Sequence, residues 1–542
     1  MGRGVTIRRF ALTSAVLISV SGCLPSGGIR SKTGTSLLLS TSTPADNLAS
    51  NTKLPGNRGA DWAAAYLNRI DNCTCDQTFS GAAIGSATSP DLTIQNSVAN
   101  PIAPGALVCI QGQWNNFKIM NLVGTAANPV NITTCGTNTA KIVGSANVSN
   151  SHYFRLSGRA APRGSKFGIL LAVNAPGGSH LQIRDKSDHF EFEGLEIDGS
   201  GLNTYFGISI FVVVECNDPT TQRNYVTGVG TTVNDPRDVL IHDNYFHNVT
   251  GGALLFGHIR PNGDLGGSPV MSGGAGCTSA AFANTTVYPL DYHTVSIYRN
   301  RFDHIGAWAI KTGGVIEDQE IFENVVTDYA TEMQPAEDFG ISAGSRTVGQ
   351  VFNNIVMHGH YQGAGIMPAG EYTMQVFNNI IFDSGMGGAI SIAGYDIGQR
   401  NFFVDNNTIV NTAAVPSIVA YPVTGSKFRF TNNLVIGYSG NAFPTASAAI
   451  TLDGNLAMAT PYASAAAFPY LTTAVLPSEF AWVPGPGFSV PFMPTTIVSG
   501  ITNPLAQAGT AFPTVFPVTY DLGFTSRIDR TKSDIGAFSV HP

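Results

Sequence analysis

From about residue 190 onward the chain repeats one pattern of short segments in which apolar and polar positions alternate. HDNYFHNV, YRNRFDHI, FENVVTDY, FNNIVMHG, FNNIIFDS, DNNTIVNT and TNNLVIGY each place an asparagine ahead of such a stretch. The aligned residues are Asn244, Asn300, Asn324, Asn354, Asn379, Asn407 and Asn433, spaced 56, 24, 30, 25, 28 and 26 apart. The first interval is two periods, or one period carrying an insertion. A second segment recurs within each period: FGISIF from 206, GALLFG from 252, WAIKTG from 308, FGISAG from 339, AGIMPAG from 364 and GAISIAG from 388. Its central residues, Ile208, Leu254, Ile310, Ile341, Ile366, Ile390 and Ile418, would stack inside the fold.

Two-residue alternation marks strands with one buried face. Strands this short bury a face only by stacking on copies of themselves. Leucine-rich repeats need LxxLxL cores, propellers a longer unit, and helical repeats a 3.6-residue period, which FEFEGLEI and VLIHDNYF do not have. The pattern predicts an all-β right-handed parallel β-helix, its recurrent asparagines bonded to one another up the stack as a ladder.

The coils are expected over 100–443, with insertions near 212–237 and 258–293 where the period breaks. An open solenoid exposes core and strand edges at both ends. In 59–99, Asp61 would cap a short amphipathic helix, WAAAYLNRI, closing the N-terminal opening. The Ala/Pro-rich stretch at 444–500 breaks the repeat, so 444–542 reads as an irregular closing segment.

The other end places the protein. Arg3, Arg8 and Arg9 precede an apolar run from Phe10 to Val20, too short for a permanent membrane span, so 1–22 reads as a signal peptide. Val20-Ser21-Gly22-Cys23 resembles a bacterial lipobox with Cys23 lipidated, and Leu24 after it resembles outer-membrane sorting in Gram-negative bacteria. Residues 23–58 would be a flexible tether, the lipid being the sole membrane contact. Six cysteines remain in an exported chain. The two insertions leave from the same place on successive coils, so Cys216 and Cys277 are expected to bond and pin them into one wall; Cys109 and Cys135, one coil apart, are expected to bond likewise. Cys73 and Cys75 are too close for an easy mutual bond and stay unassigned. A charged fraction of 12% and a net charge of −7 without blocks give no electrostatic case for nucleic acid.

PGALVCIQGQW (104–114), GTAANPVNITTCG (124–136) and KIVG (141–144) resemble the opening coils of bacterial β-helix proteins of the pectate-lyase-like superfamily, the chondroitinase B/alginate lyase family in particular. HFEFEGLEIDGSG (189–201) is similar to their next coil, and NPLAQAGT, YDLGFTSR and DIGAF to their closing segment. The superfamily spans lyases, hydrolases, epimerases and non-enzymes, so the resemblance implies fold before function. Its lyases take the C5 proton of a uronate whose carboxylate is neutralised by Ca²⁺ or an arginine.

Beside the insertions the outward row Ser209, Leu255, Lys311, Ser342, Met367 and Ser391 carries one charge, Lys311. In the lyase reading Lys311 is the base, Arg346 the carboxylate clamp, and His258 or Tyr372 the proton donor. Arg260, Glu371, Tyr395 and Asp396 would line the same groove and hold substrate. The family's acidic calcium ligands ahead of the lysine are replaced by His304 and Gly306. Asp235-Pro-Arg-Asp238 is close to the Asp-Pro-His-Asp of alginate C5-epimerases but precedes a strand as a turn would. The acids Glu317, Asp318, Glu320, Glu323, Asp328, Glu332, Glu337 and Asp338 offer oxygen to Ca²⁺ without diagnostic spacing. Two functions fit: a surface enzyme cleaving an acidic polysaccharide, or a non-catalytic lipoprotein (adhesin, glycan-binding or structural) whose partner is a polysaccharide or cell-surface glycan.

Overall fold

The structure is a computed structural model. It describes residues 64–158, 167–174, 177–184, 187–200, 205–210, 236–257, 292–332, 338–344, 347–369 and 373–392. It further describes 401–410, 417–422, 425–438 and 441–459, and short strands between 471 and 502. The leader, Cys23 and the tether lie outside the described residues.

Each coil contributes three strands, and like strands stack in parallel columns. In one coil Arg237–His242 belongs to the first column, Tyr245–Val249 to the second and Gly252–Gly257 to the third. The first two columns join through Leu107–Trp114, which runs through both, into a 24-stranded sheet; the third is an 11-stranded sheet. Every pairing within these columns is parallel. Antiparallel strand pairs occur past residue 470, where Leu471–Val475 meets Ser489–Pro494 and Ile497–Val498 meets Ile501–Thr502. The columns begin with Gln77–Ser80 and Leu92–Gln95 and continue to Ile450–Asp453 and Leu456–Met458, outside the 100–443 bounds at both ends.

The inward row of the third column is the one the repeat predicts. Ile208, Leu254, Ile310, Ile341, Ile366, Ile390 and Ile418 are register partners from rung to rung. All are fully buried, each stabilising the fold by about 1.5–3 kcal/mol. Phe190, Val239, Val295 and their neighbours do the same in the first column.

Two residues connect the first column to the second. The leading one takes a left-handed conformation: Asp243, Arg299, Glu323, Asn353, Asn378, Asn406 and Asn432 have φ between 51° and 56°. The next is the ladder asparagine. Each Nδ2 donates to Oδ1 of the following asparagine at 3.0 Å from Asn244 through to Asn433. The same Oδ1 accepts the backbone N–H of the preceding ladder residue, and the second Nδ2 hydrogen goes to a main-chain carbonyl of the preceding coil. The buried amides are thereby fully engaged. Asn244 bonds Asn300 directly, so the 56-residue interval is one period with an insertion. One rung was not foreseen: Asn433 donates to Asn455 at 2.9 Å.

The N-terminal cap does not take the expected form. A helix forms over Ala64–Asp71, but its Ile70 packs with Leu107, Cys109 and Cys135. Those residues point away from Val108 and Ile110, which face the core. The helix therefore lies against the outer flank of the opening coils. Amphipathicity says that a helix buries a face, without saying on what. The expected Cys109–Cys135 bond is also corrected. Cys73 bonds Cys135 and Cys75 bonds Cys109, with Cα separations of 5.1 and 5.9 Å. The turn after the helix crosses two coils, so each of its cysteines reaches the thiol of a different rung. Cys216 and Cys277 lie outside the described residues.

Candidate functional site

Alternation in the third column sends Ser209, Leu255, Lys311, Ser342 and Met367 outward on successive rungs. The row extends upstream through Gln182, Asn147, Lys118 and Thr93, so Lys118 shares it with Lys311. None of the eleven strands of this column contains Asp or Glu.

Lys311 is 4% exposed, and its Nζ sits 4.2 Å from the centroid of the Trp308 ring. An ammonium over an indole face contributes about 0.5–2 kcal/mol, more when water is excluded. Trp308 packs in an outer cluster with Leu255, Phe339 and Met367, joined by the partly buried Phe206. Gly252 makes room for it: a Cβ there would come within 2.2 Å of the indole. Tyr205, 39% exposed, meets Phe206 edge-on at 4.7 Å, and Phe206 lies 5.9 Å from Trp308. The result is an aromatic shelf with one cation at its edge.

The two long insertions are rooted here. Phe206–Ile210 and Gly252–Gly257 are paired neighbours, so the segments that follow leave from adjacent rungs, roughly 4.8 Å apart. Phe339–Ala343, Ala364–Pro368 and Ile390–Ile392 follow on further rungs at the same end. Arg346, Tyr372, Glu371, Tyr395 and Asp396 lie just past those strands, and His258 and Arg260 just past Gly257. All seven lie outside the described residues, so among the expected catalytic set the structure places Lys311 alone.

The acidic group of the longer coils is dispersed. Glu317 pairs with His293 at 2.7 Å and Glu320 is buried outward, both in the first column. Asp328 sits at the far corner after the second column. With no carboxylate in the third-column strands, the described donors beside Lys311 do not fit a calcium ion.

A site that the alternation concealed lies on the outer face of the first column. Arg155 Nε donates to Glu191 Oε2 at 2.8 Å, and His242 Nε2 lies 2.9 Å from Glu191 Oε1. His242 Nδ1 lies 2.9 Å from Asp243 Oδ2, to which Arg299 donates at 2.7 Å. Ser157 donates to Glu193 at 2.7 Å. Burial favours the neutral imidazole, but Asp243 and Glu191 outweigh it and raise His242 to about 9. Burial likewise works against the Glu191 carboxylate, and His242 with Arg155 nevertheless hold it below its ordinary range. Above the network the rings of His242, Tyr298, Phe322, Phe352 and Phe377 stack at 4.5 to 5.0 Å. FEFE reads as phenylalanine inside and solvated glutamate outside; here Glu191 and Glu193 are outside the coil and still buried.

Parallel three-strand coils with an asparagine ladder in the two-residue turn define a right-handed parallel β-helix. No protein-family model and no curated protein matches the chain. Among solved structures, the chain is similar to pectate lyase Pel9A at 12% identity, with a TM-score of 0.43 over 86% of this chain and 97% of that one. It is similar to the PL6 family alginate lyase AlyGC at 14% identity, with a TM-score of 0.36 over 68% of this chain and 51% of that one. The periplasmic alginate epimerase AlgG matches at 12% identity, with a TM-score of 0.23 over 69% of this chain and 83% of that one. The fold assignment rests on the strand pairing itself.

Proposed function

We propose that this protein is an exported, lipid-anchored β-helix that binds or acts on an acidic polysaccharide across the outer face of its third column. The observation that carries the reading is the Lys311 ammonium held against Trp308 on the column from which both long insertions leave. Aromatic rings stack on the C–H faces of sugars, and a buried cation favours an anionic group over a neutral one. The strands of this column contribute no acid that would repel a polyanion. Pectate and alginate lyases among the similar structures point to the same class of substrate.

Two modes share this site. In the binding mode Lys311 pairs with a carboxylate. In the elimination mode Lys311 takes the C5 proton, the C4–O bond breaks, and Arg346 with His258 or Tyr372 serves the carboxylate and the leaving oxygen. The test incubates the protein with alginate, pectate and glycosaminoglycans, reading ultraviolet absorbance of unsaturated ends alongside binding by calorimetry. Binding without absorbance, reduced in Lys311→Met, supports the first mode. Absorbance abolished in Lys311→Met supports the second. No interaction with any acidic glycan, or equal binding by Lys311→Met, overturns the proposal.

A further inference from the structure

The corner after the second column repeats a backbone demand that composition alone does not reveal. Asn248, His304, Asp328, His358 and Asp383 each hold φ between 52° and 56°. Pairing sets them side by side. Asp303 faces Thr327 and Ile305 faces Tyr329, which brings His304 opposite Asp328. Asp328 is opposite His358 by the next pairing, and His358 opposite Asp383 by the one after. Histidine, aspartate and asparagine tolerate this conformation better than most residues, which explains the residue types as a group. It does not explain why imidazole and carboxylate alternate.

The donor geometry does. One donor atom from each of Asp303, His304 and Asp328 falls within 4.8 Å of the others. His360 Nε2, 3.5 Å from Asp328 Oδ1, stands beside this group without belonging to it. An imidazolium–carboxylate hydrogen bond closes to about 2.7–2.9 Å, as His304 Nδ1 does with Asp303 Oδ1 at 2.7 Å. Two donors bound to one tetrahedral ion at about 2.0–2.1 Å instead stand about 3.3–3.4 Å apart. Among the described residues the ion-pair partners of Asp303, Asp328 and Asp383 are imidazoles, with no lysine or arginine filling the place of a cation. The buried Glu191, Glu193 and His242 group differs on this point, since Arg155 already neutralises it.

We propose that Asp303, His304 and Asp328 bind a divalent transition-metal ion, with zinc the best match. Nitrogen donors beside carboxylates select zinc, nickel or copper over calcium and magnesium. Asp303 hydrogen-bonds the His304 ring and thereby orients it, as carboxylates do behind metal-bound histidines. Tyr245 and Thr327 hydroxyls hold Asp303 in turn, at 3.4 and 3.1 Å. The corner is open to solvent, with His304 61% exposed as a side chain, so the ion would keep a position for water or an outside carboxylate. The site is separate from the Lys311 face and does not depend on the glycan reading.

The experiment is equilibrium dialysis of the untagged protein against ZnCl₂, with Co²⁺ in parallel for its visible spectrum. One saturable zinc equivalent is expected, with a Co²⁺ spectrum of tetrahedral intensity. His304→Asn and Asp328→Asn keep residues suited to the left-handed turn, so the corner survives; each should weaken zinc roughly tenfold or more. Asp453→Asn, on the last coil, should bind as the parent does. Absence of saturable zinc binding overturns the proposal, and so does equal affinity in His304→Asn and Asp328→Asn.

Discussion

Two polar rows run along the same corner of this solenoid, one inside it and one outside, and they are built on opposite rules. The inner row uses the same residue on every rung, because an amide both donates and accepts and so can hand a hydrogen bond to its own copy indefinitely. The outer row changes residue at each rung: Arg155, Glu191 and His242, with Asp243 and Arg299 joining from the turn. A carboxylate cannot follow a carboxylate without a cation between them. Neutral ladders therefore extend with the fold, whereas ionic ones terminate, and this one gives way after Tyr298 to stacked phenylalanines. Asp243 and Asn244 are adjacent in the chain, one in each row.

The sharpest way to break this contrast is to remove the cation between the two carboxylates. His242→Ala leaves Glu191 and Asp243 buried with Arg155 and Arg299 at the two ends and nothing between. Loss of one member of a buried pair costs about 3–5 kcal/mol, and Tyr298 also loses its stacking partner at 4.5 Å. Chemical denaturation should register that loss; a change within error would mean that water or a neighbouring cation already screens the pair. Next in size is Asn354→Ala in the middle of the ladder. It strips the acceptor from Asn324 Nδ2 and from the Asn324 backbone N–H, and the Nδ2 donor from Asn379 Oδ1 and the Ile321 carbonyl. Each buried group left unpaired costs about 1–3 kcal/mol, so a total near the upper end is expected in the same measurement.

These rows were not equally legible in the sequence. Asn244 to Asn433 announced the ladder because one residue recurs at one position, and the Ile208 to Ile418 stack followed from the alternation beside it. Asn455 was hidden by the Ala/Pro-rich surroundings of its rung. The outer network was invisible for a physical reason: alternation tells which side of a strand a residue faces, not whether that side is covered. Nothing in the alternation of FEFE or VLIH therefore marks Glu191, Glu193 and His242 as buried. The Cys109–Cys135 pairing failed similarly, since the crossing of the Cys73–Cys75 turn over two coils is a tertiary fact. Lys311 was singled out correctly as an outward charge, yet its burial against Trp308 depends on Gly252, whose role no periodicity reports. The His304 corner was noted for the calcium ligands it lacks, while the left-handed turn that aligns it with Asp328 leaves no mark in hydrophobic pattern.

A pH titration also separates the two rows. His242 titrates near 9 in the folded chain and near 6.5 when unfolded. A raised folded value means that its contribution is fully present below about pH 6.5 and is lost as the pH rises through about 9. The amide ladder does not ionise and contributes no slope. The denaturation free energy of the parent should therefore fall between neutral pH and pH 9, and His242→Ala should flatten that decline. An equal slope in both proteins would assign the decline to other groups.

The smallest effect is expected where the ladder meets its end. Asn455 accepts from the Asn433 N–H and Nδ2, both at 2.9 Å, and donates to the Phe430 carbonyl at 2.7 Å. Its side chain makes these three bonds where Asn354 makes five, they are partly buried, and among the described residues no further rung is paired above it. Water can reach Asn433 once the side chain is removed, so the unpaired groups are resolvated and the cost falls to about 0.5–1.5 kcal/mol. Comparing Asn455→Ala with Asn354→Ala removes the same pair of accepted bonds from the asparagine below, at two positions along the stack. A large gap between the two says that the ladder's strength comes from exclusion of water by the coils on either side. Equal losses would say instead that each asparagine acts through its own turn, and the uniformity of the row would then reflect the local demand of the left-handed residue before it.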